Sequence, residues 1–203
     1  MITQVLWLLA LAVFVACAER DGQRASGEPS DLEASGGGDL LITETGIPGI
    51  SLCDPLFRVD SVFPSARDTV AFGEGDETGW ASKVVTMAHG EDLLFETSWV
   101  DTLHVWRIST TGSRFRTRAG LRVGSTIAEV LATGDSLEFG YPEGILTISL
   151  ARDGVGLLVD DSSAISFWRV FDYPGDPLRV LDRGARIKVL WIGGDCRGPK
   201  AAA

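Results

Sequence analysis

The sequence predicts an α+β domain, mainly an antiparallel β-sheet with one short helix packed on it, at about residues 125–133. Three observations predict it. Apolar residues recur mostly at every second position, as in half-buried strands. Turn signals such as His89-Gly90 and Asp153-Gly154 separate the apolar runs. Only "GSTIAEVLATG" switches to helical spacing.

Taken in chain order, "SKVVTMA", "LLFETSWV" and "LHVWRIS" read as three strands, the first two joined across "HGED". In the helical stretch Thr126 and Glu129 form a capping box, Ile127, Val130 and Leu131 make the i, i+3, i+4 stripe, and Gly134 ends it. A helix this short holds only by packing on the sheet. "ILTISLARDGVGLLVD" reads as a hairpin closed by a two-residue turn at Asp153-Gly154. Counting outward pairs Leu150 with Leu157 and Ile148 with Val159 on one face. "RIKVLWI" places Ile187, Val189 and Trp191 on one face, for a sheet of at least six strands.

The amino terminus bears on compartment. Val5 to Ala16 is an apolar run of 12 residues without a charge, the length of a signal-peptide core and short of the ~20 needed to span a bilayer. Residues 1–16 therefore read as a signal peptide, 17–46 as a cysteine followed by a linker, 47–198 as one domain, and 199–203 as a tail. "VFVAC" resembles the lipobox of bacterial lipoproteins, which implies acylation of Cys17 and anchoring to a membrane. Ala18 after the cysteine points to outer-membrane sorting where a cell has two membranes. The alternative is a small-x-small cleavage at "ACA", releasing a soluble protein from Glu19. Residues 18–46 are rich in Gly, Ser, Asp and Glu and nearly free of large apolar side chains before Leu40, the composition of a flexible spacer, which favours the tether. With Cys17 acylated, Cys53 and Cys196 remain as an even pair; in an oxidising compartment a disulfide is their expected use, and two free thiols the alternative.

"VWRISTTGSRFRTRAGLRVGSTIAEVLATGD" resembles a pattern of uncharacterised bacterial envelope proteins, in which a strand leads to T-x-x-G-[IL]-x-V-G-S-T and a short helix. The matching positions are Thr117, Gly120, Leu121, Val123, Gly124, Ser125, Thr126 and Glu129. The likeness covers about residues 100–192 and implies a fold, with no chemistry. The start of the same helix is also similar to small outer-membrane assembly lipoproteins and to the β-lactamase-inhibitor-like fold.

The net charge of −10 repels phosphate backbones, so no nucleic-acid partner is expected. Against that background stand five arginines in sixteen residues, Arg107, Arg114, Arg116, Arg118 and Arg122. In a strand Arg114, Arg116 and Arg118 share a face, a candidate site for an anionic ligand or a partner carboxylate. The alternative is a solvated face paired with acidic neighbours. "GDSL" at 134–137 resembles the nucleophile motif of an esterase family, which would make Ser136 the nucleophile and His104, in the Asp101-to-His104 D-x-x-H, the base. Here it follows a helix, and the D-x-x-H precedes the serine, so a turn is the simpler reading. No metal or cofactor is expected: His89 and His104 lack ligand spacing, and Glu74, Asp76 and Glu77 lack the pattern of an EF-hand loop. Most tryptophans are assigned to the core, with Trp80 and Trp168, near Phe171 and Tyr173, as candidates for exposed contacts. The functional expectation is a lipid-anchored, non-catalytic binding or assembly module of the cell envelope, held to the membrane by its lipid and facing an unidentified envelope protein or anionic ligand. An esterase using Ser136 and a secreted inhibitor-like protein are the rivals.

Overall fold

The structure is a computed structural model that describes residues 39–72, 79–87, 90–140, 147–159, 182–194 and 196. Cys17, the acidic loop of Glu74, Asp76 and Glu77, His89, and the aromatic group of Trp168, Phe171 and Tyr173 lie outside the described residues.

In chain order, β1 (Leu40–Leu41), β2 (Gly46–Ile47) and β3 (Ile50–Ser51) precede the short helix α1 (Arg58–Val62). Then come β4 (Arg67–Ala71), β5 (Trp80–Thr86), β6 (Asp92–Glu96), β7 (Arg107–Thr110) and β8 (Phe115–Arg116). Helix α2 (Ile127–Ala132) leads into β9 (Leu137–Gly140), β10 (Thr147–Leu150), β11 (Val155–Val159) and β12 (Ile187–Gly193). Eight strands form one sheet in the order β4-β5-β6-β7-β12-β11-β10-β9, antiparallel at every step. β1 pairs with β8 in parallel, and β2 with β3 in a small hairpin. The fold is thus mostly antiparallel β-sheet.

One face of the sheet carries the core, including Val85, Leu93, Phe95, Ile108, Leu157 and Leu190. Helix α1 and the residue after it set Val59 and Phe63 into this core, with the Phe63 and Phe95 ring centroids 5.7 Å apart. Helix α2 buries Ile127 and Val130 and keeps Leu131 partly covered. Its capping box forms: Glu129 N–H donates to Thr126 Oγ1 and Thr126 N–H to Glu129 Oε2. The N–H groups of Ile127 and Ala128 donate to the carbonyls of Ala185 and Arg183, so the chain leading into β12 completes the helix start.

Four sequence expectations need correction. Residues 39–46, assigned to the linker, are folded: Ile42 is fully buried and Leu40 N–H donates to Arg114 O, because this segment covers β8. The β10–β11 hairpin pairs Leu150 with Val155 and Ile148 with Leu157 across a four-residue loop. Gly154, at φ +61°, donates its N–H to Leu150 O, and the buried Asp153 carboxylate accepts from Ala119 N–H, so Asp153-Gly154 ends a wider turn. In β12 a bulge puts Val159 opposite Ile187 and Leu158 opposite Val189. Beyond it Leu190 and Ile192 face the core, while Val189 and Trp191 lie half-buried on the opposite face. Finally, "LLFETSWV" leaves the sheet after Glu96 and "LHVWRIS" enters it only at Arg107.

The Trp191 ring lies over Gly156, its partner in the ladder, where a Cβ would overlap it. Glycine at this position is what lets the indole lie against the sheet.

Candidate functional site

The stretch that drops out of the sheet between β6 and β7 builds the most distinctive surface. Thr97 still holds to the sheet, its N–H and hydroxyl both donating to Ala81 O. Ser98 N–H then donates to Asp101 O, and Asp101 N–H returns to Ser98 Oγ at 2.9 Å. The Asp101 carboxylate accepts from the N–H groups of Leu103 and His104, and its Oδ2 lies 2.8 Å from His104 Nδ1. These bonds hold the Asp101 carboxyl below the usual carboxylate range, the Leu103 N–H being the main cause and His104 the next.

The loop is fastened from outside by residues 53–56. Cys53 N–H donates to Val105 O, Val105 N–H to Asp54 O, and Leu56 N–H to Leu103 O, each at 2.8 Å. A disulfide joins Cys53 to Cys196, just beyond β12, with a Cα–Cα distance of 5.2 Å. Gly194 N–H donates to Trp106 O beside it. Val105 is fully buried under this strapping.

The large side chains most exposed at this end are apolar, beside an exposed Thr102. Trp99 is 83% exposed, Phe57 72%, Leu103 69% and Phe72 62%, with Val70 and Val100 also exposed. Sheet order places them at one end: β4 finishes, β5 begins and β6 finishes there, so the β4–β5 and β6–β7 connections are neighbours. Phe57 joins them because Leu56 bonds to Leu103. Exposed large apolar side chains gathered at one end of a folded domain mark a contact surface. The assignment of Trp99 to the core is therefore wrong, since its turn removes it from the strand. Trp80 is half-buried at the same end.

The arginines are placed as follows. Arg107 Nε and Nη2 donate to the two carboxylate oxygens of Glu96, at 2.5 and 2.6 Å, and the Glu96 side chain is only 3% exposed. Arg116 pairs with Asp39 at 2.9 Å and Arg118 with Glu44 at 3.1 Å, both partners supplied by the segment read as linker. Phe115 and Thr117 are buried between Arg114, Arg116 and Arg118, as alternation predicts. Arg122 is exposed near Glu129, opposite Arg116 in an isolated bridge. Arg107 belongs to the eight-stranded sheet and the others to the β8 region, so the five divide between two places.

Ser136 and His104 are not brought together. Ser136 precedes β9 at the sheet edge, and three strands lie between β9 and β7, the strand that follows His104. Four strand spacings amount to about 19 Å along a sheet. The "GDSL" residues build the turn from α2: Asp135 Oδ1 accepts from Arg152 N–H, and Ser136 O accepts from Ala151 N–H. His104 lies in the loop, in a bridge with Pro55, rather than within a strand. Among the described residues no group of three His, Cys, Asp or Glu side chains is placed to hold a metal ion, and no helix is long and apolar enough to cross a membrane.

No protein-family model and no curated protein matches the chain. Among solved structures it is similar to an uncharacterised Escherichia coli protein, yfeY, at 9% identity and a TM-score of 0.52. The match covers 77% of this chain and 99% of that one, a likeness of fold alone.

Proposed function

We propose that this chain is an exported, lipid-anchored protein of the cell envelope, whose α+β domain is a non-catalytic binding module. The observation that carries the reading is the apolar loop face of Phe57, Trp99, Val100 and Leu103, held by backbone bonds from residues 53–56 beside a disulfide. A domain keeps such side chains in water when another surface is to cover them. The disulfide supports export, since such bonds persist in oxidising compartments. Cys17, followed by a linker-like composition, supports the anchor, and Ala18 the outer membrane. Pairing of Arg107, Arg116 and Arg118 with carboxylates of the same chain favours the loop face over the arginines as the contact. The inhibitor-like alternative uses the same loop face and differs in its partner.

The test is the intact mass of the mature amino-terminal peptide from native membranes. A diacyl- or triacylglyceryl adduct on Cys17 is expected; a free terminus at Glu19 overturns the anchor. Labelling by a fluorophosphonate probe that disappears in Ser136→Ala would replace the binding module with a hydrolase.

A further inference from the structure

The two ends of the sheet differ. One carries the apolar loop face. At the other, Thr111 N–H donates to Asp92 O and Ser113 N–H to Glu91, and Leu40 N–H donates to Arg114 O immediately beyond. The chain therefore enters the domain, at Asp39, at the end opposite the apolar face. The longest strands, β5 and β12, have seven residues each, which makes the sheet about 24 Å tall. Between Cys17 and Asp39 lie 21 residues of linker composition. Fully extended, 21 residues reach at most about 70 Å. A chain of that length is therefore long enough to run the height of the domain, the geometric condition for the face to meet the surface that holds Cys17.

We propose that the apolar loop face rests on the surface of the bilayer that holds the Cys17 acyl chains, with Trp99, Phe57 and Leu103 in its interfacial layer. This deepens the reading above and rests on its anchor. Exposed apolar side chains on loops can enter a soft interface, and tryptophan is favoured at that depth. Among the described residues, three carboxylates near the face are engaged: Asp101 by His104 and two backbone N–H groups, Asp54 by Arg58 and Ser51 N–H, Glu96 by Arg107. Among the described residues no cationic cluster accompanies the exposed apolar side chains, and the chain is net acidic, so the surface suits a zwitterionic bilayer rather than an anionic one.

The experiment reconstitutes the acylated full chain into phosphatidylcholine vesicles, with and without dibrominated acyl chains, and reads tryptophan emission. Bromolipid is expected to quench the wild type, and Trp99→Phe to lose most of that lipid-dependent quenching. Phe57→Ser combined with Leu103→Ser, keeping Trp99, is expected to lose it as well while retaining the disulfide and a cooperative melt. Equal quenching in wild type and Trp99→Phe, or none in either, overturns the proposal. So do cross-links from position 99 to a second copy or another protein without lipid quenching. The mass at Cys17 separates the two readings. An acylated cysteine with Trp99 unquenched keeps the anchor and refutes the docking, whereas an unacylated protein whose Trp99 is quenched by added vesicles keeps the docking and refutes the anchor.

Discussion

Replacing Arg107 with methionine removes the guanidinium that faces Glu96 and leaves a carboxylate whose side chain is 3% exposed. Both oxygens of that carboxylate are bonded to the same guanidinium. At an effective dielectric constant near 20, two unit charges about 4 Å apart attract by about 4 kcal/mol. Breaking such a pair at one end costs about 3–5 kcal/mol, and the partial exposure of Arg107 argues for the lower part of that range. The guanidinium also lies 5.5 Å from the Trp106 ring centroid, a contact worth about 0.5–1 kcal/mol at an exposed site. The expected loss for Arg107→Met is therefore about 3 kcal/mol. Adding Glu96→Leu removes the stranded charge, and the double variant should return to within about 1 kcal/mol of the wild type. Urea unfolding with the disulfide intact measures both. A single variant that loses less than about 1 kcal/mol at unchanged m-value would refute the structural role. That outcome would return Arg107 to the set of side chains available for an external anion, because a guanidinium kept for a ligand contributes little to folding.

Four further expectations follow from packing and charge. Cys53→Ser with Cys196→Ser removes a bridge spanning 143 residues and should lower stability by up to about 5 kcal/mol in the chain-entropy model, read from urea midpoints under non-reducing conditions. Gly156→Ala sets a methyl group into the Trp191 ring and should cost about 1–3 kcal/mol, with a changed near-ultraviolet tryptophan signal; a neutral substitution would show that the indole moves freely. The Glu129 carboxyl is held below its ordinary value of 4.5 by the Thr126 N–H and hydroxyl. Its contribution is present above that value and lost as pH falls through the lower folded one, so Glu129→Gln should flatten that acid limb. Burial pulls the Lys83 ammonium down, but hydrogen bonds to Asp68 and Asp60 outweigh it and hold the group above 10.5. Its contribution is full below 10.5 and lost as pH rises through the folded value, so Lys83→Met should remove that alkaline loss.

The helix was legible in the sequence because its signals are local. Thr126 and Glu129 sit three residues apart and satisfy each other, and the stripe through Ile127 and Val130 needs only a sheet to pack against. Register was less legible, and the parity of the error decides how much it mattered. In the β10–β11 hairpin the true loop is two residues longer than Asp153-Gly154, an even shift, so Ile148, Leu150 and Leu157 still face the core. In β12 a single extra residue is an odd shift, and it exchanges Val189 and Trp191 for Leu190 and Ile192 at the core. The bulge falls where Ile187 exchanges backbone bonds with Gly124 and Ser125, before Leu190 joins β7, and such long-range pairing is not contained in one strand's alternation.

The candidate site escaped because hydrophobicity was read as burial. "LLFETSWV" looks like one strand when only its apolar residues are counted, which carries Trp99 and Val100 into the core. The polar residues say otherwise. Ser98 and Asp101 are spaced to close a turn on each other, and Asp101 to His104 continues it, so Trp99 and Val100 are the two residues a Ser-x-x-Asp turn turns outward. Leu103 remains outside for a related reason: its N–H is taken by Asp101 and its carbonyl by Leu56, which ties its backbone to both sides and leaves its side chain in solvent. The partner strap, residues 53–56, is remote in sequence and reaches the loop through long-range pairing, as does Phe57. Turn chemistry alone identifies Trp99 as exposed, whereas the union of Trp99, Leu103 and Phe57 into one face depends on where the segment around Cys53 is fastened.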